Sequence, residues 1–232
     1  MKIAIFSICL GKYEIFFEEF YASINSLFLP QHEKIFYIFT DKKLPDHKNL
    51  KTFHQEKMGW PKDTMMRFHL MNKIKDELIL NDYIFFFNLN MKAIKQINEE
   101  VLPREENDYL MGCIHPGHYN WPVNSFPYER NPKSNCFIPY NTGNFYYQGC
   151  FNGGRSLEFL KMSEIIEKNI DKDLENNIIP LWHDESMLNH YYVYKNPLTM
   201  PYSYIAIEDK FGDPIMIQRD KTKYGGHEFL RS

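Results

Sequence analysis

The opening of the chain constrains its fold more than any other segment. Lys2 to Ile8 is a short, β-rich apolar run that ends near Gly11. Behind it Tyr13, Phe16, Phe17, Phe20, Ile24, Leu27 and Phe28 recur at helical spacing, with Glu14, Glu18 and Glu19 between them, until Pro30 stops the pattern. Lys34 to Phe39 is a second β-rich run, followed by the turn-rich stretch 41–46. Strand, amphipathic helix and strand in that order predict an α/β protein with parallel strands and crossover helices.

The same reading continues along the chain. Asp63 or Thr64, just after Pro61, is placed to cap a helix running to about Leu80. Tyr83 to Phe87 (YIFFF) is a strand buried on both faces, ended by Asn88-Leu89-Asn90. Ligands of open α/β sheets sit beyond the carboxyl ends of strands, so the end of this strand is the expected edge of a site. Residues 113–144 are irregular and rich in Pro, Asn, Gly and aromatic residues, the profile of a functional loop. Phe145 to Phe151 reads as a strand closed by Asn152-Gly153-Gly154 and Leu157 to Ile170 as a helix, and Trp182 to Ser186 precedes the stretch Met187 to Tyr194. A polar, Gly-containing tail ends the chain. With 232 residues, no internal repeat and no linker, a single domain is expected.

Composition narrows the class. The net charge of −3 gives no global basic field for nucleic acid. Cys9, Cys113, Cys136 and Cys150 form no CxxC pair, so free thiols in a reducing compartment are expected. No signal peptide is read at the N-terminus and no apolar run is long enough to span a membrane. These features suit a cytoplasmic protein, with peripheral contact at the inner face of a membrane as a variant. The 19 Phe and 16 Tyr fit either a Phe-rich core or rings lining a polar groove.

Several constellations could carry chemistry. Asn88 and Asn90 follow the central strand, but hard divalent cations prefer charged oxygens, so an amide pair suits them poorly; a strand-ending Asn turn is the plain alternative. Trp182-His183-Asp184-Glu185-Ser186 packs two carboxylates and an imidazole together. It reads equally as a reactive carboxylate site or as an ordinary acidic helix N-terminus. His115 and His118 lack an adjacent Cys or carboxylate to complete a metal set. Arg67, on the predicted helix, could reach a carboxylate or phosphate or lie on the surface. Lys221, Lys223 and Arg231 could neutralise a diphosphate or form a solvated basic tail.

Taken together and in order, these pieces resemble glycosyltransferase family 6, the retaining GT-A-fold family of the ABO blood-group enzymes and α1,3-galactosyltransferases, and its bacterial members in particular. The matching residues are Gly11-Lys12-Tyr13, Trp60-Pro61 with Thr64 and Arg67-Phe68, Phe85 to Asn90, His115-Pro116-Gly117, Tyr128-Glu129-Arg130, Phe145 to Gly154, Trp182 to Ser186 and the tail. The resemblance covers nearly the whole chain. It implies a GT-A-type fold with a mixed, mainly parallel sheet flanked by helices. The N-terminal part would bind nucleotide, while residues 113–232 would bind acceptor, carry catalysis and supply a closing tail.

The resemblance also implies roles. Glu185 matches the catalytic carboxylate and Asp184 a donor-sugar contact. Ile8, Leu10 and Tyr13 match the uridine pocket, Arg67 a donor-side Arg, and Lys221 and Arg231 cations closing over the diphosphate. His115, Trp182 and His183 match acceptor contacts. Asn88 and Asn90 stand where animal members carry the metal-binding Asp-x-Asp, which implies a metal-independent enzyme with no cofactor. Gln148-Gly149-Cys150 matches the trio that discriminates donors, and the bulk of Cys150 favours UDP-Gal over UDP-GalNAc. The implied reaction is retaining transfer of Gal or GalNAc from UDP, in α1,3 linkage, to a fucosylated galactose. A transferase of other donor or linkage specificity, a glycan-binding module without catalysis, and a UDP-binding regulator are the competing readings. The sequence does not fix an oligomeric state.

Overall fold

The structure, a computed structural model, describes residues 1–210 and 212–232. Its strands are β1 (Lys2–Cys9), β2 (Glu33–Thr40), β3 (Leu50–His54), β4 (Tyr83–Phe87), β5 (Met91–Ala93), β6 (Leu110–Ile114), β7 (Tyr147–Arg155), β8 (Leu198–Met200), β9 (Ala206–Ile207) and β10 (Met216–Gln218). The α-helices are α1 (Phe17–Leu27), α2 (Lys62–Met65), α3 (Arg67–Lys73), α4 (Lys75–Leu78), α5 (Ser156–Glu175), α6 (His183–Tyr192) and α7 (Gly226–Arg231). A seven-stranded sheet has the order β3-β2-β1-β4-β7-β6-β8. Its pairs are parallel except that β7 runs against both β4 and β6. This is the mixed, mainly parallel sheet flanked by helices expected of a GT-A-type fold.

Both faces of the sheet are covered, which explains the unbroken apolar runs in β1 and β4. Side chains alternate across a strand. Ile3, Ile5, Phe85 and Phe87 therefore join α1 in one core, against Phe20, Ile24 and Phe28. Ala4, Phe6, Ile84 and Phe86 join the other, against Phe68, Met71, Phe159 and Met187. Phe28 meets both Phe85 and Phe87 edge-on, at 5.0 and 5.2 Å between ring centres. The Phe content thus serves the core first. No helix among the described residues is long and apolar enough to cross a membrane.

Four expectations change. The first helix begins as a 3-10 turn over Gly11–Phe16 and becomes α-helical only at Phe17. The helix expected from 63 to about 80 is three short helices, broken at Met66 and Ile74. Asp63 caps none of them; its Oδ1 accepts the Met58 and Gly59 N–H groups at 2.6 and 3.1 Å. Cys113 belongs to β6 rather than to the irregular loop that follows.

The fourth change concerns Gly153 and Gly154, which do not end a strand but lie inside β7. A Cβ on Gly153 would sit 2.2 Å from the Phe85 ring, and one on Gly154 2.5 Å from the Tyr109 carbonyl. Glycine is required there for close approach, not for a turn.

Candidate active site

A cleft of about 370 Å³ opens at the carboxyl ends of β1 and β4, a size suited to a small-molecule substrate. One wall is formed by Ile8, Leu10 and Tyr13, where β1 runs into the 3-10 turn. Phe86, Phe87, Asn88 and Leu89 supply the end of β4, and His115, Gln148, Trp182 and Glu185 face them from the C-terminal half. Lys221 and Arg231 reach in from the tail, together with His227 and, from the opposite side of the sequence, Lys57. Neither Lys57 nor His227 was singled out by sequence, because each stands alone in a polar stretch.

Glu185 is built in from three directions. Its Oε1 accepts the Tyr146 hydroxyl at 2.8 Å and its Oε2 the Gly149 N–H at 2.7 Å. Its helix is locked to β7 by Asn189, fully buried one turn later, which accepts from the Tyr147 N–H and donates to the Tyr147 carbonyl, each at 2.8 Å. Asn189 thereby imitates a neighbouring strand. The Gly149 N–H is free for Glu185 because β7 bulges there. Gly112 pairs with Asn152 and Cys113 with Gln148, which leaves Gly149 to Phe151 unpaired on that side. The Trp182–Ser186 motif is thus both things at once, the first turn of α6 and a carboxylate set into a cleft.

Burial dominates the electrostatics of Glu185 and pushes its carboxyl up to about 7, with the Gly149 and Tyr146 hydrogen bonds pulling the other way. Two consequences follow. If the anion is the working form, activity rises with pH through about 7, and a flat profile from about pH 5 to 9 would contradict this. Stability runs oppositely. The folded carboxyl holds a proton that the unfolded one, at 4.5, has released, so the contribution of Glu185 is full below 4.5 and lost as pH rises through about 7. Glu185→Gln therefore gains stability relative to wild type on going from acid to alkaline pH, as urea midpoints will register.

Beneath the cleft lies an ion pair. Arg67, 1% exposed, points Nε at Asp184 Oδ2, 3.2 Å away, and donates from Nη1 to the Gly149 carbonyl at 2.6 Å. The Thr64 hydroxyl donates to Asp184 Oδ1 at 3.1 Å. The resemblance implies donor contacts for both Arg67 and Asp184. In the structure neither lines the cleft, because each is taken up by the other and by the frame around Glu185. The carbonyl that Arg67 grips belongs to the residue whose N–H holds the carboxylate.

Two more implied donor contacts turn elsewhere. Asn90 is buried and donates from Nδ2 to the Arg219 carbonyl at 3.0 Å, while its own carbonyl accepts the Arg219 N–H at 2.8 Å. The chain has by then left the cleft for β5, which pairs with β10 just ahead of the tail. Cys150 is 2% exposed and lies in the core with Phe87 and Phe151, so no thiol reaches the cleft to crowd a sugar. Of that trio, Gln148 is the side chain that meets the cleft, and it exchanges amide hydrogen bonds with Gln218 at 3.1 and 3.0 Å. The four cysteines are buried free thiols.

On the other wall His115 is held neutral: burial and the neighbouring His118 push it down to about 4. Its Nδ1 accepts the Gly117 N–H at 3.0 Å, which leaves Nε2 to carry the proton. His115 and His118 stack at 4.3 Å and gather no further ligand. The three-residue set of possible metal ligands among the described residues is His69, Glu167 and Asp171, none of which lines the cleft. Trp182 is exposed at the cleft; His183 meets the Trp60 ring edge-on at 5.0 Å and does not line the cleft.

The tail folds as a 3-10 turn, Lys221–Tyr224, and helix α7. Its seat is Gly11, at φ 63, where a Cβ would be 3.0 Å from the Leu230 carbonyl. Leu230 is fully buried, Lys12 caps the Phe229 ring at 3.7 Å, and the Arg231 guanidinium lies 3.5 Å from the centre of the Trp60 ring. The Gly11-Lys12-Tyr13 motif is therefore one half of a tail-docking surface. Hydrogen exchange is expected to show the amides of residues 219–231 gaining protection when a ligand fills the cleft, UDP being the probe, since the ligand would complete this closure. Equal protection with and without UDP would contradict it.

Comparison with known proteins places this geometry. The sequence profile of glycosyltransferase family 6 matches residues 1–223. An O-antigen biosynthesis glycosyltransferase of Escherichia coli, WbnI, is 38% identical over 229 residues, covering 96% of both chains. The rat histo-blood group ABO system transferase 1 is 30% identical over 198 residues, which are 81% of this chain and 56% of the rat protein. The chicken globoside α-1,3-N-acetylgalactosaminyltransferase 1 is 29% identical over 210 residues, 85% of this chain and 59% of its own length. The chain thus spans a little over half the length of these animal relatives and nearly all of the bacterial one. It belongs to glycosyltransferase family 6.

Proposed function

We propose that this transferase moves Gal or GalNAc from a UDP-sugar to a galactose of a fucosylated glycan, forming an α1,3 linkage with retention and without a divalent metal. The observation that carries the reading is Glu185, a buried carboxylate held by Tyr146 and Gly149 in a cleft that also gathers Lys221 and Arg231. On this reading uridine lies against Ile8, Leu10 and Tyr13, and the sugar reaches over Glu185. The acceptor enters past His115 and Trp182. The bond from the anomeric carbon to the UDP oxygen breaks, and UDP leaves with the electron pair toward the tail cations. Charge left on the sugar is met by the Glu185 carboxylate, as stabiliser or as transient nucleophile. The acceptor oxygen then bonds to the same face and passes its proton to the oxygen of the departing diphosphate.

The residues at the end of β4 do not fit a divalent ion. Asn88 offers a neutral amide, the Asn90 side chain is held by Arg219, and Lys57, Lys221 and Arg231 bring positive charge into the same cleft. Hard cations need charged oxygens, whereas these cations can themselves neutralise a leaving diphosphate. Transfer is expected to continue in excess EDTA. Its abolition there, with full rescue by Mn²⁺, would overturn the metal-independent reading. The names of the chicken and rat relatives support the choice of α1,3 linkage, GalNAc and a blood-group-like acceptor, and that of WbnI supports a surface polysaccharide. Gln148 takes over from Cys150 as the side chain placed to sense the substituent at C2.

A further inference from the structure

The segment after β6 holds three aromatic rings at a spacing of three: His115, His118 and Trp121. The His118 N–H donates to the His115 carbonyl at 3.0 Å and the Trp121 N–H to the His118 carbonyl at 3.1 Å. Two such turns in succession bring side chains i and i+3 nearly into line; the two imidazoles stack at 23° and the Trp121 ring packs on His118 tilted by 57°. His115 to His118 is 4.3 Å between ring centres and His118 to Trp121 is 4.2 Å. Gly117 permits the tight winding, since a Cβ there would press on the His115 ring at 3.2 Å. The spiral rests on Tyr146, whose ring meets His118 edge-on at 5.2 Å and whose hydroxyl holds Glu185.

One end of this ladder, His115, is a wall of the cleft; the other, Trp121, is 45% exposed. From the same turns Tyr119, 48% exposed, meets the Tyr202 ring at 4.6 Å. An indole whose other side is already packed on His118 is a rigid platform, apolar on its face and polar at its edge. Sugars present flat C–H faces to such rings and hydroxyls to the water around them. Continuity with the cleft indicates which sugars these are.

We propose that Trp121 is the stacking platform of an outer acceptor subsite, which binds sugar residues of the glycan beyond the galactose that receives the new bond. The inference rests on the transferase reading and adds to it a preference for long acceptors. The galactose is held at His115 and Trp182, and the rest of the chain leaves along the His118–Trp121 ladder. Selectivity for a polysaccharide over a short glycoside then resides in a ring that never touches the reacting atoms.

The test compares wild type with Trp121→Ala and Trp121→Phe on a minimal fucosylated disaccharide and on a longer oligosaccharide ending in the same unit. Loss of one stacked ring is expected to raise KM for the longer acceptor about tenfold in the Ala variant. The Phe variant should retain most of the affinity, and kcat and the disaccharide kinetics should stay as in wild type. Equal losses on both acceptors, or no loss on the longer one, would overturn the proposal. Saturation-transfer NMR with the longer glycan and UDP reads the contact without turnover. Contact to the outer sugars should be present in wild type and lost in the Ala variant with UDP still bound; its absence in wild type would overturn the subsite. No product from wild type with any acceptor, while that contact persists, would instead sink the transferase reading and leave the subsite standing.

Discussion

Glu185→Gln is expected to keep the fold and UDP binding and to lose at least two powers of ten in transfer rate. The substitution is nearly isosteric. A Gln oxygen can still accept the Gly149 N–H, and its amide can donate to the Tyr146 oxygen, so the frame that holds residue 185 survives. What disappears is the negative charge of the carboxylate that Tyr146 and Gly149 hold in the cleft, whose lining also includes Lys57, Asp63, Lys221 and Arg231. Charge developing on the sugar would then have no counterpart, and a hundredfold loss corresponds to about 2.7 kcal/mol of barrier. Burial makes the carboxylate costly to ionise, so the same variant should unfold at a higher urea concentration than wild type above pH 7. Near-wild-type turnover in the Gln variant would remove Glu185 from the chemistry.

The second large effect concerns a residue that does not line the cleft. Arg67→Ala leaves Asp184 buried without its cation and takes one of two donors from the Gly149 carbonyl, which keeps the Asn152 amide. Breaking a buried pair by removing one partner costs about 3–5 kcal/mol, a large share of the stability of a domain this size. A urea titration should show the midpoint falling with little change in slope. Activity should fall as well, because Gly149 is the residue that grips Glu185. A variant pair, Arg67→Met with Asp184→Asn, removes both charges and should recover part of the stability, since an uncharged buried pair no longer carries an unpaired ion. Arg67→Ala unfolding at the wild-type midpoint would mean that the pair contributes nothing, and the frame around Glu185 would need another origin.

Much of the fold was legible because its signals are local. Tyr83 to Phe87 forms a strand with the expected bounds, and β1 and β2 extend their expected bounds by one or two residues, since an apolar run buried on both faces has few other solutions. The misreadings share a different cause. Gly153 and Gly154 have the composition of a turn, yet the reason for glycine is the Phe85 ring and the Tyr109 carbonyl, more than forty residues away in sequence. The helix after Pro61 reads as continuous by periodicity but is broken at Met66, just before Arg67 turns inward to Asp184, and again at Ile74. Cys150 was placed in the cleft by analogy of position, but the irregular pairing of β7 leaves the thiol in the core and Gln148 at the cleft.

The site divides along the same line. Ile8, Leu10, Tyr13, Asn88, His115, Gln148, Trp182, Glu185, Lys221 and Arg231 all line one cleft, although they come from segments spread over the whole chain. Composition and spacing could not bring them together; the family resemblance did. Tyr146 was visible in its motif but had no role there, because its partner, Glu185, lies on another element. Arg67, Asp184 and Asn90, read as ligand contacts, do not line the cleft: Arg67 and Asp184 pair with each other and Asn90 bonds to Arg219, an arrangement that depends on which way a side chain points.

The most direct test of the account is the product itself. The enzyme is incubated with UDP-Gal or UDP-GalNAc, a fucosylated galactoside and excess EDTA, and the product is analysed by NMR for its anomeric configuration and linkage. The account predicts release of UDP and an α-linked sugar on the 3-hydroxyl of the galactose. No transfer from either donor, or a β-linked product, would contradict it.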